Sequence, residues 1–276
     1  MLSDIKKISV YSVKGKDSIK YPILVSSPHS GREFPKDLSP VVKQKFKNLP
    51  EDTDWYVDDL YDFSQEMGFV HVYSNISRYV IDLNRDVNGL GLYSDGRQET
   101  GLVPLRSFSG ENLYESEPPS SQEIKKRIEE YYLPYHNMVK NTLFEIKNQF
   151  GVALLFEAHS IKRNVKTIRE QSFPDFILGN QGGKTCPKAI TGVLEEQLRA
   201  SGYEWSDNDP FRGGFLTRTM AELDSHIYTV QLEMSQDLYM NEVDYNYLPE
   251  KAEQVQKFLK SILQALGNEL LKMVRK

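Results

Sequence analysis

The segment "GVALLFEAHS", residues 151–160, limits what this chain can fold into more than any other. Val152 to Phe156 is a near-continuous apolar run with no polar alternate face, the pattern of a central strand covered by helices on both sides. A second run of this kind, Ile23 to Val25, lies in "YPILVSSPHSGREFP" and is broken by Ser26, Ser27, Pro28, His29, Ser30 and Gly31. Both runs end on a histidine, His159 in one and His29 in the other. Sites in α/β sheets collect at the carboxyl ends of strands, so two parallel strands of this type bring both imidazoles to one edge.

The remaining periodicity supports the same class. Ile8 to Val13, "FVHVYSNI" and Tyr79 to Leu83 read as further strands, as do "GGFLTRTM" and "HIYTVQLEM". Helical spacing appears over Asp52 to Met67, over Ser121 to Gln149 with a kink expected at Pro134, over Lys188 to Ala200, and over Pro249 to Lys276. Ser120 or Ser121 is the expected cap of the second of these helices. Residues 87–119 are rich in Gly, Ser, Pro and Asn and are too long for a plain connector, so an excursion over the site is expected there. Alternating strands and helices predict an α/β fold with helices on both faces of a sheet. No linker stands out, so residues 1–276 are read as one domain.

Composition narrows the function. With 276 residues, 26% charged and 39% hydrophobic, the chain has an ordinary globular mix, and its net charge of −5 argues against nucleic-acid binding. The one cysteine, Cys186, rules out an internal disulfide and a multi-cysteine zinc site, and reads as inert packing. No apolar run is long enough for a membrane span and the N-terminus lacks a signal-peptide core, so a cytoplasmic protein is expected. The spacing "GxSxG" is absent, as are a P-loop and a dinucleotide-binding glycine pattern.

Two converging imidazoles suit zinc, which also takes a carboxylate as third ligand. Glu33, Asp52, Asp54, Asp58 and Glu157 are the candidates for that carboxylate. In "YTVQLEMS", Glu233 alternates with apolar Val230 and Leu232, either as a surface residue or as a general base toward a metal-activated water. Asn84 and Arg85 of "DLNRD" follow a strand, and a guanidinium suits a substrate carboxylate. Arg78 and Arg212 are weaker candidates for that task. His71 reads as a packing residue, His136 as a helix anchor, and His226 as a support at the start of the Glu233 strand.

Taken together, "SSPHSGREFP", "DTDWYVDDLY", "SRYVIDLNRD", "TGLVP", "PYHNM", "FEAHSI", "FRGGFLTR" and "VQLEMSQDLYM" resemble the N-formylglutamate amidohydrolase family over most of the chain. The resemblance implies a zinc-carboxypeptidase-like (phosphorylase/hydrolase-like) three-layer α/β/α sandwich around a mixed, mostly parallel sheet. It implies a metal-dependent hydrolase that cleaves N-formyl-L-glutamate to formate and L-glutamate, late in histidine breakdown. Carried over by position, His29 and His159 match the metal histidines, Glu233 the catalytic glutamate, and Asn84 and Arg85 the pair that holds a substrate carboxylate. Zinc carboxypeptidases carry a glutamate three residues after the first histidine, where this chain has Arg32. The "TDW" block therefore favours Asp54 as the third ligand, with Asp52 and Glu33 still open. Tyr56 stands where such proteins often have a histidine. Zn²⁺ is the expected cofactor, other first-row divalent metals fitting the same donors. A small N-acyl amino acid is the expected partner. The alternatives are a deacylase for another N-acyl amino acid and a non-catalytic protein that binds such a compound.

Overall fold

Alternation on the central strands decides how the layers stack. The computed structural model describes residues 8–38, 40–91 and 100–274. In chain order it runs β1 (Tyr11–Lys14), β2 (Ile23–Ser27), α1 (Gln44–Asn48), α2 (Val57–Leu60), α3 (Ser64–Met67) and β3 (Val70–Ser74). Then follow α4 (Ser121–Arg127), a π turn (Ile128–Tyr132), α5 (Leu133–Phe150), β4 (Ala153–Ile161), β5 (Phe176–Gly179) and α6 (Lys188–Ala200). The last elements are β6 (Trp205–Asp207), α7 (Phe215–Thr219), β7 (Ile227–Ser235) and α8 (Pro249–Val274).

The seven strands form one sheet in the order β1-β3-β2-β4-β7-β5-β6. The four central strands, β3, β2, β4 and β7, are mutually parallel, and β1 and β5 join them antiparallel. This is the mixed, mostly parallel α/β sheet expected. Leu154, Phe156 and Ala158 of β4 and Tyr228, Val230 and Leu232 of β7 face one way, packing with Ile190 and Leu194 of α6 and Leu259, Ile262 and Leu266 of α8. Ala153 and Leu155 face the other way, onto Val139, Leu143 and Ile146 of α5. Burying a side chain such as Leu154 or Phe156 contributes roughly 1.5–3 kcal/mol.

Several elements differ from expectation, each for a local reason. Asp52 to Met67 is two single-turn helices rather than one: Tyr56 adopts a left-handed backbone, φ 61°, so α2 starts only at Val57, and a turn over Tyr61–Phe63 parts it from α3. Tyr79 to Leu83 forms no strand. Its Asp82 is buried and accepts the backbone N–H of Asn84 at 2.9 Å, a local turn that competes with sheet pairing. "GGFLTRTM" forms α7 rather than a strand. Gly214 lies so close to Asn84 that an added Cβ would fall 2.2 Å from its Nδ2. The expected kink near Pro134 is a π turn, in which the Leu133 N–H donates to Ile128 O, five residues back. A proline lacks the N–H for its own i−4 carbonyl, and the ladder absorbs the defect by widening one turn. Ser120 caps α4 through Glu123 N at 3.2 Å, as expected. Strands β5 and β6 and helix α1 were not foreseen. Residues 92–99 of the expected excursion lie outside the described residues, as do the last two residues of the expected C-terminal helix. Among the described residues no helix is long and apolar enough to cross a membrane.

Two histidines are structural. His71 Nε2 meets Ser27 Oγ at 3.0 Å, and His136 Nε2 donates to Leu83 O at 2.8 Å while its ring stacks on Tyr132. Burial lowers their pKa to about 3 and about 4 respectively, so both stay neutral in the fold. An unfolded histidine gains a proton near pH 6.5. Their contribution to stability is therefore complete above pH 6.5 and falls as the pH drops toward 4. Denaturant unfolding at pH 7, 5.5 and 4.5 should show that decline. The slope should be shallower in His136→Gln by up to about 1.4 kcal/mol per pH unit. Equal slopes would refute the assignment.

Candidate active site

β4 and β7 pair with His159 opposite Glu233 and Glu157 opposite Gln231. All four side chains alternate onto the α5 side of the sheet, beyond the apolar stretch that α5 covers. His29 follows the end of β2, the strand on the other side of β4. Asp54 bridges the two: its N–H donates to His29 O at 3.1 Å, and its Oδ2 accepts the Ser160 N–H at 3.1 Å. The sheet thus holds two histidines and one carboxylate on short, fixed connections.

His159 Nδ1 lies 3.0 Å from Asp54 Oδ2, and His29 Nδ1 lies 3.9 Å from the same oxygen. One potential ligand atom from each of His29, Asp54 and His159 falls within 4.8 Å of the others. The far side of each imidazole meets a buried carboxylate: His29 Nε2 is 2.7 Å from Asp82 Oδ1, and His159 Nε2 is 2.7 Å from Glu157 Oε1. Such outer carboxylates orient histidines that hold metals and leave the opposite nitrogen to the ion. Arg78 Nη2 donates to Asp82 Oδ2 at 2.8 Å, and Thr217 and Asn84 donate to Glu157.

The electrostatics follow from this crowding. Burial opposes the charge on the His159 imidazolium, but hydrogen bonds to Asp54 and Glu157 and their charges outweigh it and raise its pKa well above the ordinary value. Burial also opposes ionisation of Asp54, and His159, His29 and Arg78 overcome it and lower its pKa. Burial, reinforced by the Asp54 charge, raises the Glu233 carboxyl to about 8. Asp54, Asp82 and Glu157 are three buried carboxylates, and Arg78 is the one guanidinium in contact with them among the described residues. Two imidazole nitrogens, one carboxylate oxygen and surplus buried negative charge fit a divalent first-row metal.

These groups form one end of a cavity of about 400 Å³, an ordinary volume for a small-molecule site. His29, Asp54, His159 and Glu233 all line it, and so do Asn84, Arg85 and Arg78. The Asn84 amide is committed within the wall, since Nδ2 donates to Glu157 and Oδ1 accepts Leu216 N–H at 2.8 Å. Arg85 is half-buried, its Nε donating to Thr100 O at 2.8 Å. Arg78 lies among carboxylates rather than at a ligand position. Arg212 is not brought to the cavity; its guanidinium lies beside the Gly182 turn.

Of the alternative carboxylates, Glu157 supports His159, and Asp52 accepts Phe108 N–H at 2.9 Å. Glu33 is exposed. Tyr56 turns away to donate to Tyr245 O. His226 precedes β7 and so lies at the end of the strand opposite Glu233; it supports no part of the site. His136 lines a different cavity. Cys186 is buried, which pushes its thiol up to about 12 and leaves it unreactive. Asp82, Gln231, Thr217 and Arg106 are site residues that the sequence reading missed. An acid inside the apolar run "YVIDL" was the available signal for Asp82, since a charge so placed must be paired.

The family profile described as N-formylglutamate amidohydrolase matches residues 21–240. An N-formylglutamate deformylase of Pseudomonas putida is 37% identical over 254 residues, covering 90% of this chain and 92% of the relative. One of Pseudomonas aeruginosa is 36% identical over 250 residues, covering 90% and 93%. The crystal structure of an N-formylglutamate amidohydrolase from Ralstonia eutropha JMP134 superposes with a TM-score of 0.79 at 24% identity, covering 97% of this chain and 98% of that one, which speaks for the fold. The family profile spans most of the sequence and the two deformylases match nearly end to end, so the chain belongs to the N-formylglutamate amidohydrolase family.

Proposed function

We propose that this chain hydrolyses the formyl amide of N-formyl-L-glutamate to formate and L-glutamate, using a divalent metal held by His29, Asp54 and His159. The convergence of those three side chains beside Glu233, at one end of a cavity that also presents Arg85, carries the reading. The curated relatives, named for that reaction, support the substrate. Zinc, or a first-row neighbour, supplies when bound an activated water and a Lewis acid for the carbonyl.

The chain's own groups do the rest. Asp82 and Glu157 hold the two imidazoles by their Nε2 atoms, so the Nδ1 atoms face the centre. The Glu233 carboxyl is raised by burial, and its carboxylate form would be favoured by a divalent cation beside it. In that form Glu233 takes the proton of the attacking water and returns it to the amide nitrogen as the C–N bond breaks, so one water is added across that bond. Arg85, held by Thr100, fixes a substrate carboxylate and places the scissile amide against Glu233. Asn84 acts through Glu157, and Arg78 through Asp82 and Asp54. A cytoplasmic setting and a place in histidine breakdown belong to the same reading.

Formate release from N-formyl-L-glutamate is the direct test. The purified protein should release it, lose the activity on chelation and regain it with added zinc. A chelated protein with undiminished rate would exclude the metal. Glu233→Gln should lower kcat by about 10²–10⁴-fold with bound metal unchanged. A near-normal rate would remove Glu233 from its role as base. Asp82→Asn should weaken metal affinity by roughly 10- to 100-fold, read by competition against a chromophoric chelator. Unchanged affinity would leave Asp82 without its orienting role.

A further inference from the structure

The substrate of the preceding section carries two carboxylates, whereas among the described residues the cavity's fixed cations satisfy one. Arg85 has five N–H donors. Three of them are engaged, Nε with Thr100 O at 2.8 Å, Nη2 with Thr100 Oγ1 at 3.0 Å and Nη1 with Asn84 O at 3.0 Å. One N–H remains on each terminal nitrogen, the fork that matches a single carboxylate. Arg78 is closed in by Asp82, Asp54 and the Asp52 carbonyl. Arg212 does not reach the cavity, and Lys162 contacts Tyr245 in an adjoining pocket.

Arg106 remains. It lines the same cavity and is exposed, unlike the buried metal-binding end. Its backbone is pinned on both sides. Leu113 N–H donates to Leu105 O at 2.9 Å, Ser107 N–H to Glu111 O at 2.9 Å, and Phe108 N–H to Asp52 Oδ2 at 2.9 Å. Thr167 Oγ1 also donates to Phe108 O at 2.6 Å. Among the described residues, however, no carboxylate pairs with the Arg106 guanidinium. An exposed cation that lines the cavity on a pinned backbone, with no carboxylate partner among the described residues, is suited to an anionic group of a ligand.

We propose that Arg106 is a specificity-determining residue that binds the side-chain carboxylate of the substrate, while Arg85 binds the α-carboxylate. The assignment rests on the deformylase reading and extends it: the preferred substrates are N-formyl derivatives of acidic amino acids. Such an arrangement selects a dianion over its neutral isostere, because the isostere leaves Arg106 without a partner.

N-formyl-L-glutamate and N-formyl-L-glutamine differ at that group alone and are the probes. kcat/KM for both is measured with the wild type, Arg106→Gln and Arg85→Gln, with melting curves to check folding. The wild type should prefer the glutamate compound. Arg106→Gln should shrink that preference by about 10- to 100-fold, the range for losing one charge-assisted pair, mainly through KM. Arg106→Lys should restore part of it. Arg85→Gln should depress both substrates and keep the preference. An unchanged preference in Arg106→Gln overturns the assignment while leaving the hydrolase intact. A wild type inert on both compounds overturns the deformylase reading and this assignment with it.

Discussion

Side chains alternate across a strand, so the parallel register of β4 and β7 delivers Glu157, His159, Gln231 and Glu233 together to one face. A slip of one residue would send all four into the apolar layer under α6 and α8 and bring Ala158 and Leu232 out in their place. The apolar set on the opposite face therefore specifies the site as firmly as the site residues do. Phe156 and Val230 have no other place to go, and their burial locks the chemistry at the carboxyl end of the sheet. His29 arrives from β2 on the same edge, and Asp54 is tied by its backbone to His29 and by its side chain to Ser160.

The price of this arrangement is buried charge. Each imidazole sits between two carboxylates, Asp54 with Asp82 for His29 and Asp54 with Glu157 for His159. A lone charge so deeply buried costs several kcal/mol. The network tolerates it because nearly every oxygen has a donor: Arg78 and Asn84 N–H for Asp82, Thr217 and Asn84 Nδ2 for Glu157. Asn84 thus links β4 to α7 through its Oδ1 bond to Leu216, and Gly214 is the residue that lets the backbone come close enough.

Much of this was legible in the residues. The two apolar runs pointed to His29 and His159 at one edge of a parallel sheet, and the alternation of "VQLEM" set Glu233 on the polar face of its strand; that the strands are neighbours and that Glu233 stands opposite His159 came from the structure. Asp54 was favoured from the "TDW" block, and the structure brings it to both histidines. Segments shaped by tertiary contact were harder to read. Tyr79 to Leu83 has strand-like content, but Asp82 must turn inward to meet His29 and Arg78, contacts that no local pattern announces. The five-residue α7 is too short for helical periodicity to show, and the glycines before it have tertiary reasons, a left-handed turn at Gly213 and the close approach of Gly214 to Asn84. Strands β5 and β6, the last two of the sheet with β6 at its edge, have only four and three residues, below the length at which periodicity speaks. Arg106 could not be singled out, since its meaning comes from the loop's fold over the cavity.

The π turn between α4 and α5 makes helix length a carrier of information. Each residue added to a helix rotates everything after it by about 100°. The wide turn sets the phase at which Tyr132 donates to Arg85 O at 2.7 Å, Tyr135 meets Ser26 at 2.9 Å and His136 reaches Leu83 O at 2.8 Å. The first and third brace the backbone that presents Asn84 and Arg85, and the second ties α5 to β2. A substitution within Ile128–Tyr132 alters one contact; a single-residue deletion there would rotate all of α5 and disengage the brace at once. Among homologous chains this turn should accordingly vary in identity far more freely than in residue count.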